Sequence, residues 1–220
     1  MALDLAAAAI IASIVRILIA LFILWVYYKN KNKFALYIGL FFLLLGFHGI
    51  FRTLSQTTGV LFWFFLHRIS LLFAAAAILY GLGRIDVEWM RKLRLVPIFA
   101  FIAVLLAYYD TYVKGGFAGE TSSIIPAFAI AGLSLLLAAY YFNLLGKDLP
   151  RHGRLLMVVG LALQGLLLIF VGYIIQKGMS WLGFLLGMAF TGIVGLGFGC
   201  CLHHKEESLK TKSGNKAELG

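Results

Sequence analysis

Residues 5–28, LAAAAIIASIVRILIALFILWVYY, decide the fold class of this protein. A bilayer core about 30 Å thick is crossed by about 20 predominantly apolar residues in a helix. The stretch meets that length, and Arg16 is its single charged residue. No basic segment precedes it, so we interpret it as a retained membrane span rather than a cleaved signal peptide.

The remainder of the chain has the same character. Of the 220 residues, 62% are hydrophobic and 13% charged, whereas soluble domains are about half apolar and about a quarter charged. We therefore predict an all-α integral membrane protein, a seven-transmembrane-helix bundle that occupies residues 1–202. The predicted spans are approximately 5–28, 34–52, 60–83, 95–113, 124–145, 155–176 and 180–202.

Basic residues are concentrated in alternate connections, which predicts the orientation of the bundle. Fourteen of the 19 lysines and arginines lie in the first, third and fifth connections and the C-terminal tail. Because basic loops stay in the cytoplasm, the N-terminus is predicted outside the cell membrane and the C-terminus in the cytoplasm. Residues 203–220 are predicted to be a disordered basic tail. The net charge of +10 indicates contact with anionic lipid headgroups at the cytoplasmic face, not nucleic acid.

Arg16 lies near the middle of the first predicted span. An arginine at the bilayer centre costs from about 3 to over 10 kcal/mol, depending on the measure, so we expect Arg16 to face the protein interior or a wet cavity. None of the nine acidic residues lies deep in a predicted span. The partner of Arg16 is therefore expected to be a backbone carbonyl, Gln164 of the sixth span, water or a bound anion.

A second polar group flanks the turn between the second and third spans, in FHGIFRTLSQTTGVLFWFFLHRIS, residues 47–70. Its four potentially cationic side chains are His48, Arg52, His67 and Arg68. Antiparallel packing of the two spans predicts that both imidazoles lie at a similar depth near the outer boundary. Gly46 and Gly49 flank the first imidazole, and we expect them to leave room for a bulky group.

Three interpretations of this group stay open. The side chains are interfacial residues whose arginines reach the headgroups, or they line a ligand site that faces outward. In the third interpretation, His48 and His67 are the axial ligands of a b-type haem and an arginine faces its propionates. A zinc site would need further ligands, so no metal site other than haem is predicted.

Catalytic motifs are absent from the sequence. It contains no GxSxG, HExxH or Walker-type loop, and no span holds a lysine for a retinal Schiff base. Ser70 follows His67 by three residues, a generic pairing that leaves hydrolysis open. No catalytic residue is predicted, and a protein without enzymatic activity is favoured.

The preferred hypothesis is one cationic ligand site that is accessible from outside. Its candidate residues are Arg16, His48, Arg52, His67, Arg68 and Gln164. Their donors suit a small anion, a lipid headgroup or a quinone-like ligand, in a sensor or receptor or in a small transporter. The alternative is a b-type haem electron-transfer protein.

Two further expectations concern protein partners. A receptor is expected to dock a cytoplasmic protein on residues 84–95 or 147–154. In the last span, small residues recur every four positions from residue 183 to residue 199. Such a stripe permits close helix packing, either within the bundle or in an oligomer.

Overall fold

The computed structural model describes the backbone of residues 2–31, 33–84, 88–113, 120–146 and 149–217, and helices account for nearly all of it. The α-helices of this part of the chain are α1 (Ala2–Asn30), α2 (Lys33–Thr58), α3 (Leu61–Gly83), α4 (Val96–Tyr108), α5 (Glu120–Leu145), α6 (Arg151–Gln176) and α7 (Ser180–Ala217). A 3₁₀ helix, Glu88–Leu95, precedes α4, and a π-helical turn, Tyr109–Val113, follows it.

Six of these helices, all except α4, are long and apolar enough to cross a membrane within the described residues. The predicted all-helical fold is thereby confirmed for the described residues, and six of its helices are capable of crossing a membrane. The predicted span 95–113 differs from the others, because α4 itself has 13 residues and the chain then widens into the π-helical turn.

The last helix extends beyond the predicted end of its span at residue 202. The backbone of α7 stays helical as far as Ala217, which includes most of the segment 203–220 for which the sequence predicts disorder. Extending an existing helix needs no new nucleation, and each added residue gains a hydrogen bond. Residues 218–220 lie outside the described part.

The spanning helices form a closed ring. In order around it, α1, α2, α3, α5, α6 and α7 each pack on the next, α7 packs on α1, and α4 lies outside against α3. The largest fully buried side chains, Phe41 and Phe42 among them, are concentrated towards the end that holds the α1–α2 connection. The sequence predicts that this end is cytoplasmic. The opposite half of the ring is less completely filled.

Glycines at two turns and one crossing shape the ring. Gly59 and Gly178 connect α2 to α3 and α6 to α7 with φ of +68° and +70°, a left-handed conformation that glycine adopts without steric cost. At the α5–α6 crossing, a Cβ on Gly132 would lie 2.5 Å from the carbonyl oxygen of Gly165, and the reverse distance is 2.8 Å. Close approach of these two backbones therefore requires glycine at both positions.

The small-residue stripe of α7 packs against α1 inside the chain. A Cβ on Gly195 would lie 2.9 Å from Ile19, and one on Gly199 would lie 3.7 Å from Phe22. Gly187 faces Arg16 in the same way. The stripe thus brings α1 and α7 close enough for the mid-span arginine to lie between them.

Candidate functional site

A cavity lies inside the ring, in the half opposite the densely packed core. The cavity has a volume of about 50 Å³ and is partly open to the outside. Its polar lining residues are Arg16, His48, Arg52, Gln164 and Ser180. Most of the remaining wall is apolar and includes Leu45, Phe128, Leu167, Leu168, Val171 and Phe184.

Arg16 is the innermost cation of the cavity. Its side chain is 7% exposed, and its buried Nε has no hydrogen-bond partner. The Nη2 atom occupies the position that a Cβ at residue 187 would take, so Gly187 is what gives the guanidinium space. The prediction that Arg16 faces the interior agrees with this position. None of the described residues that line the cavity is acidic.

Gln164 lies on α6 across the same cavity. Its side chain is fully buried, and neither its amide nitrogen nor its amide oxygen has a hydrogen-bond partner. The hydrogen bond to Arg16 that the sequence suggested is therefore absent between these two described side chains. Buried polar groups in native proteins are nearly always paired, and an unpaired group often indicates an unseen water or ion.

His48 and His67 form a reciprocal pair between α2 and α3. Nδ1 of His48 lies 2.8 Å from the carbonyl oxygen of His67, and Nδ1 of His67 lies 3.1 Å from the carbonyl oxygen of His48. Because a carbonyl only accepts, each Nδ1–H donates, which leaves Nε2 of the neutral ring as an acceptor. The two rings are stacked with their centroids 4.0 Å apart.

This pair does not fit the predicted b-type haem site. Paired axial ligation places the two imidazoles on opposite faces of the macrocycle, each with a ring nitrogen directed at the iron. Here the rings face each other at 4.0 Å, which leaves no space for a macrocycle between them. Both Nδ1 atoms are also engaged with backbone carbonyls. His48 and His67 in this arrangement therefore do not fit the axial ligands of a shared haem.

The space predicted beside His48 is occupied by another helix. A Cβ on Gly46 would lie 2.6 Å from Ile17 and 3.1 Å from the carbonyl oxygen of Ser13, and Gly49 also faces Ser13. These glycines accommodate α1 rather than a bulky ligand. The same close approach brings Arg16 to the cavity next to His48.

The remaining predicted residues occupy different positions. Arg52 lines the cavity. His67 does not line it and supports His48 instead, while the guanidinium carbon of Arg68 lies 4.4 Å from the centroid of the Phe64 ring. Arg68 is buried, 5% exposed, so it does not reach the headgroups as an interfacial arginine would. Ser70 donates to the carbonyl oxygen of His67 at 2.9 Å rather than to its imidazole.

Sequence reasoning missed several residues of the cavity wall. Ser180, at the start of α7, and Phe128 of α5 both line it, and neither stands out from its neighbours in the sequence. Gly187 is part of the recognisable small-residue stripe, but only the position of the Arg16 guanidinium reveals its role.

No protein-family model matches this chain, and no curated protein or solved structure matches it. Its function is therefore inferred from the chemistry of the cavity.

Proposed function

We propose that this protein is a cell-membrane receptor that binds a small anion in the central cavity, from the outer face. The observation that supports this most strongly is Arg16, a buried guanidinium whose Nε has no partner and whose cavity has no acidic lining residue among those described. An uncompensated buried charge is strongly destabilising. A bound anion would neutralise it.

The size and position of the cavity favour a small anion over the other two ligand classes. A cavity volume of about 50 Å³ suits a molecule of a few heavy atoms better than a quinone ring. The cavity is lined from inside the ring by α1, α2, α5, α6 and α7 rather than from a lipid-facing groove. A lipid headgroup would have to leave the bilayer surface to enter it.

Sensing is favoured over transport because the cavity extends to one end only. It runs from mid-span Arg16 to Ser180, at the beginning of α7, while Phe41 and Phe42 fill the other half. The five helices that line the cavity are continuous, whereas many transporters bind substrate between broken helices. A transporter would need a second path past this core.

The proposed orientation has the N-terminus outside and seven spans, with residues 95–113 as the fourth. Basic connections support the orientation. Two contacts support the additional span: Nε of Arg94 donates to the carbonyl oxygen of Gly83 at 2.8 Å, at one end of α3, and Tyr112 packs on Phe65 with ring centroids 5.8 Å apart, near its other end. The segment from Arg94 to Tyr112 thus runs the length of α3.

We propose that a cytoplasmic protein docks on the basic connections at the core end, where Arg91, Lys92 and Arg151 are exposed. Anionic lipid headgroups would contact the same residues. Because α1 covers the α7 stripe, an oligomer would use other faces of α7, such as the one that carries exposed Leu185 and Leu196.

Anion-dependent thermal stabilisation of the protein in lipid nanodiscs tests this proposal. Short carboxylates, chloride, nitrate and bicarbonate are compared at constant ionic strength. At least one anion should raise the unfolding temperature saturably in the wild type but not in Arg16→Met, while the exposed control Arg151→Met responds like the wild type. Failure of every anion would overturn the proposal. Uptake of a bound anion into proteoliposomes would show that the protein is a transporter rather than a receptor.

A further inference from the structure

The cavity offers hydrogen-bond acceptors as well as positive charge. Arg16 can only donate. Gln164 has an unpartnered amide oxygen next to its unpartnered nitrogen, and His48 has an acceptor at Nε2 because its Nδ1–H is committed to the carbonyl oxygen of His67. A ligand that satisfies this wall must therefore bring both a negative charge and a donor.

A simple anion meets only half of this requirement. Acetate, nitrate and chloride carry lone pairs alone, so they can pair with Arg16 but not with the acceptors. They would leave the Gln164 oxygen and His48 Nε2 without a partner and would direct negative charge towards them. Sites with buried polar groups discriminate strongly against analogues that lack the matching hydrogen-bonding group.

The apolar part of the cavity wall further restricts the chemical class of the ligand. Phe128, Leu167 and Leu168 border the cavity beside the polar groups, and an inorganic oxyanion has no apolar part to place against them. A short carbon chain does. The cavity volume of about 50 Å³ limits that chain to a few carbons.

We propose that the ligand is a short-chain 2-hydroxycarboxylate, an inference that rests on the proposed anion-binding function. The carboxylate pairs with Arg16, and the hydroxyl on the adjacent carbon donates to the amide oxygen of Gln164 or to Nε2 of His48. The carbon chain lies against the apolar side of the cavity.

Matched ligand pairs test this inference directly. Affinities of glycolate and acetate, and of lactate and propionate, are measured by calorimetry on the full-length protein in nanodiscs. Each hydroxy acid should bind at least about tenfold more tightly than its partner, because only the hydroxyl differs. In Gln164→Met this ratio should fall markedly if the hydroxyl donates to the Gln164 amide oxygen, while Ser134→Ala, which removes a buried hydroxyl bonded within its own helix, should keep it.

A second measurement needs no substitution. If the hydroxyl donates to His48 instead, lactate should shift the Nε2 resonance of His48 in protein labelled with ¹⁵N-histidine, and propionate should not. A ratio that survives Gln164→Met while this resonance stays unchanged would overturn the inference. Equal affinity within both pairs would overturn the inference while leaving the proposed function intact. Binding of bicarbonate or dihydrogen phosphate, with no binding of either hydroxy acid, would also overturn it. Absence of binding by any anion would instead overturn the proposed function.

Discussion

The imidazole of His48 and the imidazole of His67 exchange hydrogen bonds, each with the backbone carbonyl of the other residue, at 2.8 and 3.1 Å. The pair connects α2 to α3 and fixes the ring of His48 at the cavity wall. The carbonyl oxygen of His67 accepts from Ser70 as well as from His48, so it is not available to a ligand.

Replacing either histidine should destabilise the bundle through this exchange. We expect His67→Leu to lower the free energy of unfolding by about 0.5–1.5 kcal/mol, because it removes one hydrogen bond to the buried carbonyl of His48. The loss should be seen in unfolding by denaturing detergent in mixed micelles. In a double-mutant cycle with His48→Leu, the two losses should be non-additive. Strict additivity would contradict the contact between the stacked rings.

Removing the buried charge of Arg16 should lower the affinity for an anion without lowering the stability of the protein. Arg16→Met without ligand is expected to be at least as stable as the wild type, because an apolar side chain of similar length replaces a desolvated cation whose described neighbours in the cavity include no acidic residue. Its affinity for an anion should fall at least about tenfold, the loss of one charge-assisted hydrogen bond. Thermal unfolding with and without ligand measures both effects. A strongly destabilised variant would indicate a purely structural arginine.

The space at Gly187 should be essential to the site. In Gly187→Ala the new methyl group would overlap the Arg16 guanidinium, so the guanidinium must move and anion affinity should fall about tenfold. Gly192→Ala is the matched control on α7, because nothing lies within 4 Å of its Cβ position. Calorimetric titration compares the two variants. Equal affinities would show that Arg16 does not bind the anion from its present position.

The close packing of the α5 and α6 backbones should leave no space for a side chain at the two crossing glycines, Gly132 and Gly165. Gly165→Ala would place a Cβ 2.8 Å from the carbonyl oxygen of Gly132, and overpacking of this kind costs about 1–3 kcal/mol. Gly199→Ala, whose Cβ would make an ordinary contact at 3.7 Å, should be neutral or slightly stabilising by helix propensity. Unfolding in mixed micelles distinguishes them. Similar stabilities would contradict the described crossing.

The six long apolar helices of the described residues could be predicted from the sequence because they depend on length and hydropathy alone. The burial of Arg16 could also be predicted, since the cost of exposing a charge to lipid does not depend on the details of packing. The orientation of the Arg68 side chain and the residue that packs against Gly49 could not be predicted. Both depend on how each helix is rotated about its axis and on which helix lies next to it. The same holds for the end of α7, where polar residues continue the helix beyond the apolar stretch.

The central claim is that a small anion is bound by the Arg16 guanidinium inside the ring. Solid-state NMR of protein with ¹⁵N-labelled arginine, in lipid and with lactate labelled with ¹³C at its carboxylate, measures this contact through the dipolar coupling of the two nuclei. We expect a carboxylate-to-guanidinium contact within about 4 Å, consistent with charge-assisted hydrogen bonds of about 2.8 Å, that disappears in Arg16→Met. Bound lactate whose carboxylate couples to no arginine nitrogen, or keeps its coupling in Arg16→Met, would contradict the claim.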